Sequence, residues 1–169
     1  KILAEFPPHV TMPDQLRRLC DFLDRTGYPI SGHMRLRPEG ESLKAWFGGH
    51  SKACNELAGF GAGPDGSTLA LWLYRGRDSS NAPIVHLGSE GNALSVLADN
   101  IQDFLSLFGI GYSELGFDDL SQPPSEPQSA ERLREWLKVE FAIIPPATAL
   151  RASRKPDLYI PISSNGFSA

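Results

Sequence analysis

His86 is followed by Ser89 and Glu90, so the three side-chain types of a hydrolytic triad stand close together in the chain. The nucleophile elbow of serine hydrolases has a glycine two residues before the serine, where this chain has a leucine. Along a strand and the turn after it, His86 and Ser89 are separated by several ångströms, which is too far for direct proton transfer. The pattern instead predicts a strand that ends in a tight turn between Gly88 and Gly91, with Glu90 exposed at its tip.

The segment from Gly61 to Gly66 reads GAGPDG and matches the G-x-G-x-x-G fingerprint of dinucleotide-binding folds letter for letter. That fingerprint requires a helix directly after it, because the helix N-terminus holds the pyrophosphate. Here an apolar, strand-like run follows, and Pro64 lies inside the motif. The P-loop pattern also fails, because its lysine is missing. We therefore interpret the segment as a hairpin turn in which Gly66 supplies a positive φ, and we predict no cofactor.

Metal coordination needs several His, Cys, Asp or Glu side chains that converge on one point. The four histidines are scattered and no C-x-x-C pair is present, so we predict no metal site. Asp118 and Asp119 are adjacent and would point apart on a regular element, although a loop site shared with Glu114 stays an alternative. Cys20 lies on the apolar stripe of a predicted helix, which indicates a buried and inert thiol.

The charge of the chain is unevenly distributed. The chain has ten basic and eight acidic residues before residue 78, and six basic and four acidic residues after residue 130. The segment 78–130, here called the acidic segment, contains no Lys or Arg, and its acidic residues are Asp78, Glu90, Asp99, Asp103, Glu114, Asp118, Asp119 and Glu126. Such a surface repels nucleic acid and steers a basic partner towards the protein. The alternative is a solvated face that only keeps the protein in solution.

Hydrophobic periodicity and turn residues predict an α+β fold, with helices packed on an antiparallel or mixed sheet of about five or six strands. Predicted helices cover residues 12–26, 42–47, 100–109 and 130–142, the third capped by Asp99 or Asn100 and the fourth by Ser129. Predicted strands cover residues 30–37, 55–61, 69–74, 84–87 and 95–98. We expect one buried core that contains Trp46, Phe104, Leu105 and Phe108 together with Leu71 or Trp72.

The 169 residues are enough for one domain that buries a sizeable core without disulfides, so we predict a single domain over 1–169. The Pro-rich stretch 121–130 is expected to be a loop or tether, and residues 145–169 an extended tail. No run approaches the ~18 apolar residues of a membrane span, so we expect no membrane insertion. Only two cysteines are present, which favours a cytoplasmic location over an oxidising compartment.

The central third of the chain, roughly residues 53–112, resembles the SUKH superfamily, which includes fungal cell-wall assembly regulators and bacterial toxin-immunity proteins. The residues that carry the resemblance are Gly66, Leu71, Trp72, Pro83, Val85, Leu87, Gly88, Glu90, Gly91, Val96, Asp99, Phe104 and Leu105. The resemblance implies an α+β domain that binds proteins and has no family catalytic residues to transfer. Gly66, Trp72, Gly88, Gly91 and Phe104 are then structural residues.

Three functional hypotheses remain from the sequence. The first is an immunity protein that neutralises a basic toxin by direct binding, with Glu90, Asp118 and Asp119, and also Asp78 and Glu114, at the interface. The second is a regulator or scaffold in cell-wall or envelope assembly. The third is an enzyme of unrecognised type that uses His86, Glu90 or Asp118.

Overall fold

The computed structural model describes residues 6–27, 34–49, 51–91, 93–115 and 118–149. Its α-helices are α1 (Asp14–Thr26), α2 (Gly40–Trp46), α3 (Ser51–Asn55), α4 (Ile101–Phe108) and α5 (Glu131–Phe141). Its strands are β1 (Arg35–Leu36), β2 (Leu57–Ala62), β3 (Thr68–Trp72), β4 (Ile84–Leu87) and β5 (Leu94–Ala98). Short 3-10 helices cover Tyr74–Gly76, Ser79–Asn81 and Pro127–Ala130.

The five strands form one antiparallel sheet in the order β1-β2-β3-β4-β5, so each strand pairs with its neighbours in the chain. Thr68 lies opposite Leu87 and Leu71 opposite Ile84, which fixes the register at the centre of the sheet. The predicted α+β class is confirmed. The turns after β2 and β4 lie at one end of the sheet, here called the turn end. The segment between β3 and β4 and the start of α4 lie at the other end, here called the connection end.

Three of the predicted strands differ from the structure by two residues or more. The strand predicted from residue 55 starts at Leu57, because α3 occupies the residues before it. The strand predicted to reach Tyr74 ends at Trp72, because the chain then enters the 3-10 helix Tyr74–Gly76. Of the strand predicted over 30–37, only Arg35–Leu36 is found as β1, and residues 28–33 lie outside the described residues.

The larger core lies on one face of the sheet, under α1, α4 and α5. Leu69, Leu71 and Leu73 point into it from β3 and the residue after it, because alternate side chains of a strand share a face. Phe104 is fully buried there, with its ring edge-on to Phe60 at 5.5 Å between centroids and stacked on Phe108 at 5.7 Å. The predicted burial of Phe104 is therefore confirmed.

A second, smaller core lies on the opposite face, where α2 covers Ala70 and Trp72 of β3. The prediction that Trp46 shares one core with Phe104 is wrong, because the sheet separates them. Trp46 is half-buried on the Trp72 side, and its Nε1–H donates to the carbonyl of Gly88 over 2.8 Å. Both faces of the central strand are thus buried, and the burial of Trp72 is confirmed.

Glu39 directly precedes α2 and is a buried residue, only 3% exposed. Its Oε2 accepts a hydrogen bond from the Ser42 hydroxyl at 2.5 Å, and Oε1 pairs with the Arg37 guanidinium. Gly59 of β2 faces it so closely that a Cβ on Gly59 would lie 2.8 Å from the Glu39 Cβ. A glycine is needed here because any side chain would displace Glu39.

The ends of the later helices show which capping predictions hold. Asn100 caps α4, since its side-chain oxygen accepts the backbone N–H of Asp103 at 2.9 Å. The predicted cap of the last helix by Ser129 is wrong: Ser129 belongs to the 3-10 helix Pro127–Ala130, and α5 begins after Ala130 without a side-chain cap. Proline at the start of that turn presets the backbone for helical geometry.

The Pro-rich stretch 121–130 is anchored to the domain at its start, whereas a loose tether was one of the expectations. The buried Tyr112 hydroxyl lies 2.8 Å from the Leu120 carbonyl and 2.9 Å from that of Gln122. The backbone N–H of Ala149 donates to the Leu120 carbonyl and to the Tyr112 hydroxyl. The beginning of the predicted tail is therefore also held against the domain. Residues 150–169 lie outside the described residues.

Among the helices of the described chain, none has the length and apolar character needed to cross a membrane.

Candidate functional site

The turn end of the sheet brings together the two glycine-bounded turns that the sequence analysis singled out. Gly66 has a φ of 86° and Gly91 a φ of 71°, a region that favours glycine, so the predicted turns are confirmed. A Cβ on Gly66 would lie 3.6 Å from the Cβ of Ser89, so the two turns lie close together. Gly88 has no positive φ, but a Cβ there would come within 3.0 Å of the Cβ of Ala93.

His86 is buried in β4 while Ser89 is exposed in the turn that follows. Burial holds the pKa of His86 below its ordinary value, and the nearby charge of Asp65 only partly offsets this effect. The carboxylate that acts electrostatically on His86 is therefore Asp65, in the other turn, and not Glu90, which is exposed at the tip. A serine–histidine–carboxylate triad is not assembled from His86, Ser89 and Glu90.

Asp65 holds the β2–β3 turn together. Its Oδ1 accepts the backbone N–H of Ser67 at 3.1 Å and the Ser67 hydroxyl at 2.6 Å. Burial raises the pKa of Asp65, but its hydrogen bonds together with the charge of His86 outweigh this effect and keep the pKa below its ordinary value. Oδ2 is buried and has no hydrogen-bond partner within the described residues. A Cβ on Gly63 would lie 2.6 Å from Oδ1, so the glycines of GAGPDG serve a turn and not a pyrophosphate.

The eight carboxylates of the acidic segment are largely in solvent. Glu114 and Asp118 are half-buried, and the six exposed ones are Asp78, Glu90, Asp99, Asp103, Asp119 and Glu126. Within the described residues, none of the eight forms an ion pair with a basic side chain. Elsewhere in the described chain, ion pairs are formed by Asp14, Asp21, Glu39, Glu41 and Glu140. Within the described residues, the carboxylates of the acidic segment are therefore not paired with basic side chains.

Glu114, Asp118 and Asp119 are brought together in the loop after α4. The Asp118 Oδ2 accepts the backbone N–H of Glu114 at 2.8 Å, and the Asp118 N–H donates to the Glu114 carbonyl at 2.8 Å. The Asp119 Oδ1 accepts the N–H and the hydroxyl of Ser121, and these hydrogen bonds lower the pKa of Asp119. Asp118 and Asp119 thus brace their own loop with one carboxylate oxygen each.

Asp78 and Glu90 are placed at opposite ends of the sheet. Asp78 follows β3 at the connection end and caps the 3-10 helix Ser79–Asn81 by accepting the N–H of Ser80 at 3.4 Å. Glu90 lies at the turn end, in the loop after β4.

The Cys20 thiol of α1 and the possible metal ligands are the candidate groups that remain. Burial, together with the charges of Asp24 and Asp21, raises the pKa of the Cys20 thiol to about 11, so the thiol stays protonated at neutral pH. Within the part of the chain that the structure describes, no three His, Cys, Asp or Glu side chains converge as metal ligands do.

No family model, no curated protein and no solved structure matches the chain.

Proposed function

We propose that this chain is a non-enzymatic protein-binding domain, an immunity protein that neutralises a basic partner toxin by docking on it. The observation that carries the proposal is the set of eight carboxylates without a basic counterpart in the described fold. Like charges so arranged repel one another, and a basic partner would relieve that repulsion. The resemblance of residues 53–112 to the SUKH superfamily supports the same class of function.

Glu90 is the first contact residue of the proposal, and Asp118, Asp119, Asp78 and Glu114 are the others. Glu90 is exposed at the tip of a turn that Gly88 and Gly91 shape. Asp119 is exposed and negatively charged at neutral pH, with its lowered pKa. Asp118 is a weaker test residue, because replacing it also removes the hydrogen bond to the N–H of Glu114.

The experiment begins with capture of partners from a lysate of the source organism on the immobilised chain at low salt. The captured protein is then produced alone, and its association rate is measured for the double variant Glu90→Lys/Asp119→Lys. Exposed charges act mainly on association, so we expect a rate about tenfold lower at low salt and a smaller difference at about 0.3 M salt. The control Asp24→Lys/Glu135→Lys changes the net charge equally at exposed sites outside the acidic segment.

Growth tests decide what the binding does. Expression of the captured protein should arrest growth, and co-expression of this chain should restore it. Equal association rates for the double variant and the control would mean that the acidic segment is only a solvated surface. Capture of envelope-synthesis proteins that do not arrest growth would favour a regulator or scaffold over an immunity protein.

A further inference from the structure

A short basic turn stands directly before the acidic segment, at the connection end of the sheet. It consists of the 3-10 helix Tyr74–Gly76 and Arg77, with the sequence YRGR. Arg75 and Arg77 are both exposed. Neither arginine forms an ion pair within the described residues. Five acidic side chains elsewhere in the described chain do form ion pairs with basic side chains.

The nearest carboxylate in the chain does not neutralise these arginines. Asp78 follows Arg77 directly, but its Oδ1 faces the backbone N–H of Ser80 at 3.4 Å and the Ser79 hydroxyl at 3.5 Å. The Ser79 hydroxyl is held in turn by the Thr11 carbonyl at 2.5 Å. The capping role of Asp78 therefore turns its carboxylate towards the next helix, and Asp78 pairs with neither guanidinium group.

The side chain of Arg77 packs against aromatic rings. The Arg77 guanidinium lies 4.7 Å from the centre of the Tyr74 ring, a cation–π arrangement. Tyr74 lies in turn against Trp72, with 4.3 Å between ring centroids. Trp72 is buried in the second core, so the position of Arg77 is coupled to the sheet. A guanidinium fixed in this way loses less conformational entropy on binding than one on a free side chain.

The backbone of the turn is strained at an arginine. Arg75 has φ 57° and ψ 28°, the left-handed region that residues with a Cβ enter at a steric cost. The next residue, Gly76, also has a positive φ, of 69°. A glycine at position 75 would adopt this conformation without strain. Strain of this kind accumulates where a side chain serves a function that outweighs stability.

We propose that the Tyr74–Arg77 turn is a docking element for an acidic segment of a partner protein, whose carboxylates bind the guanidinium groups of Arg75 and Arg77. Guanidinium groups bind carboxylates through paired hydrogen bonds. A nucleic acid fits less well, because Asp78 is adjacent and Asp99 and Asp103 stand near the start of α4 at the same end of the sheet. Those carboxylates would repel a continuous phosphate backbone, whereas a peptide presents its few charges locally.

The test measures the fluorescence anisotropy of a short labelled glycine–serine peptide that carries two glutamates, and compares it with that of a labelled single-stranded DNA. Wild type should bind the peptide more tightly than the DNA. Arg75→Glu/Arg77→Glu should weaken peptide binding about tenfold, the combined value of two exposed charge pairs. The matched control Arg35→Glu/Arg132→Glu, at two exposed arginines without ion pairs in the described chain, should change it by less than about twofold.

A second variant separates binding from folding. Arg75→Gly should weaken peptide binding while the melting temperature stays equal to that of wild type or rises, because the strain is released. The proposal is overturned if wild type does not bind the peptide or prefers the DNA, or if both double variants lose affinity equally. Glu90→Lys/Asp119→Lys should not weaken peptide binding, because it only removes negative charge. The docking element and the proposed docking of a basic partner can therefore fail independently.

Discussion

Phe104 is the residue whose truncation tests the larger core most directly. It is fully buried and contacts two further rings, Phe60 edge-on and Phe108 face to face. Phe→Ala substitutions in cores cost about 3–5 kcal/mol, and aromatic pairs add about 0.5–1.5 kcal/mol beyond the area they bury. Because two such pairs are lost, we expect Phe104→Ala to lower the free energy of unfolding by about 4–5 kcal/mol.

Phe47→Ala is the matched control for this substitution. Phe47 is only half-buried, lies 4.8 Å from the ring of Trp46 and belongs to the smaller core on the opposite face. Since it buries less apolar surface, we expect its truncation to cost about 1–1.5 kcal/mol. The same change of residue type therefore gives a threefold to fourfold difference that comes only from position.

Urea unfolding followed by tryptophan fluorescence measures both variants. Trp136 stacks on Phe22 beside the larger core, whereas Trp46 and Trp72 report on the smaller one. The dependence of the unfolding free energy on urea should keep its slope, so that the change is one of stability alone. A loss below about 2 kcal/mol for Phe104→Ala, or equal losses for the two variants, would refute the assignment of α4 to the larger core.

Three further perturbations have defined outcomes. The pKa of His86 lies below its ordinary 6.5, so the unfolded chain binds a proton first and stability falls as pH decreases through 6.5 towards the folded-state pKa. His86→Gln should remove that part of the slope in urea titrations between about pH 5 and 7, whereas His9→Gln at an exposed site should keep it. Gly91→Ala should cost about 1 kcal/mol or more because of its positive φ, and Gly91→Asn should recover part of the loss in melting temperature. Gly59→Ala should cost about 1–3 kcal/mol, because its Cβ would displace Glu39; an unchanged melting temperature would contradict that close approach.

The sequence predicted those elements whose signals are local. α4 combines an apolar stripe with Asn100, and the structure shows that asparagine as its cap. β4 and β5 follow from two short apolar runs that are separated by Gly88 and Gly91. α3 was missed because its five residues, SKACN, contain no apolar repeat, and so short a helix depends on tertiary packing.

Features that depend on contacts between distant segments could not be predicted. The alternation in β3 separates Leu71 from Trp72, but it does not show that α2 covers one face and α4 the other. Trp46 was therefore assigned to the wrong core. Likewise, Asp65 lies in the turn before β3 and His86 lies in β4. Only the pairing of β3 with β4 brings their charges close enough to interact.

The acidic segment shows how a property that is continuous in sequence is divided by a fold. An antiparallel sheet returns the chain to alternate ends, so Asp78 and Glu90, on either side of β4, cannot contact one small patch of a partner. All eight carboxylates still contribute to the field that steers a basic partner, since that field sums over the surface. Only those at the end where the partner docks would also hold it. Reversal of Glu90 and reversal of Asp78 should therefore slow association similarly at low salt, while dissociation is accelerated for one of them alone. The variant with the faster dissociation identifies the end of the sheet at which the partner binds.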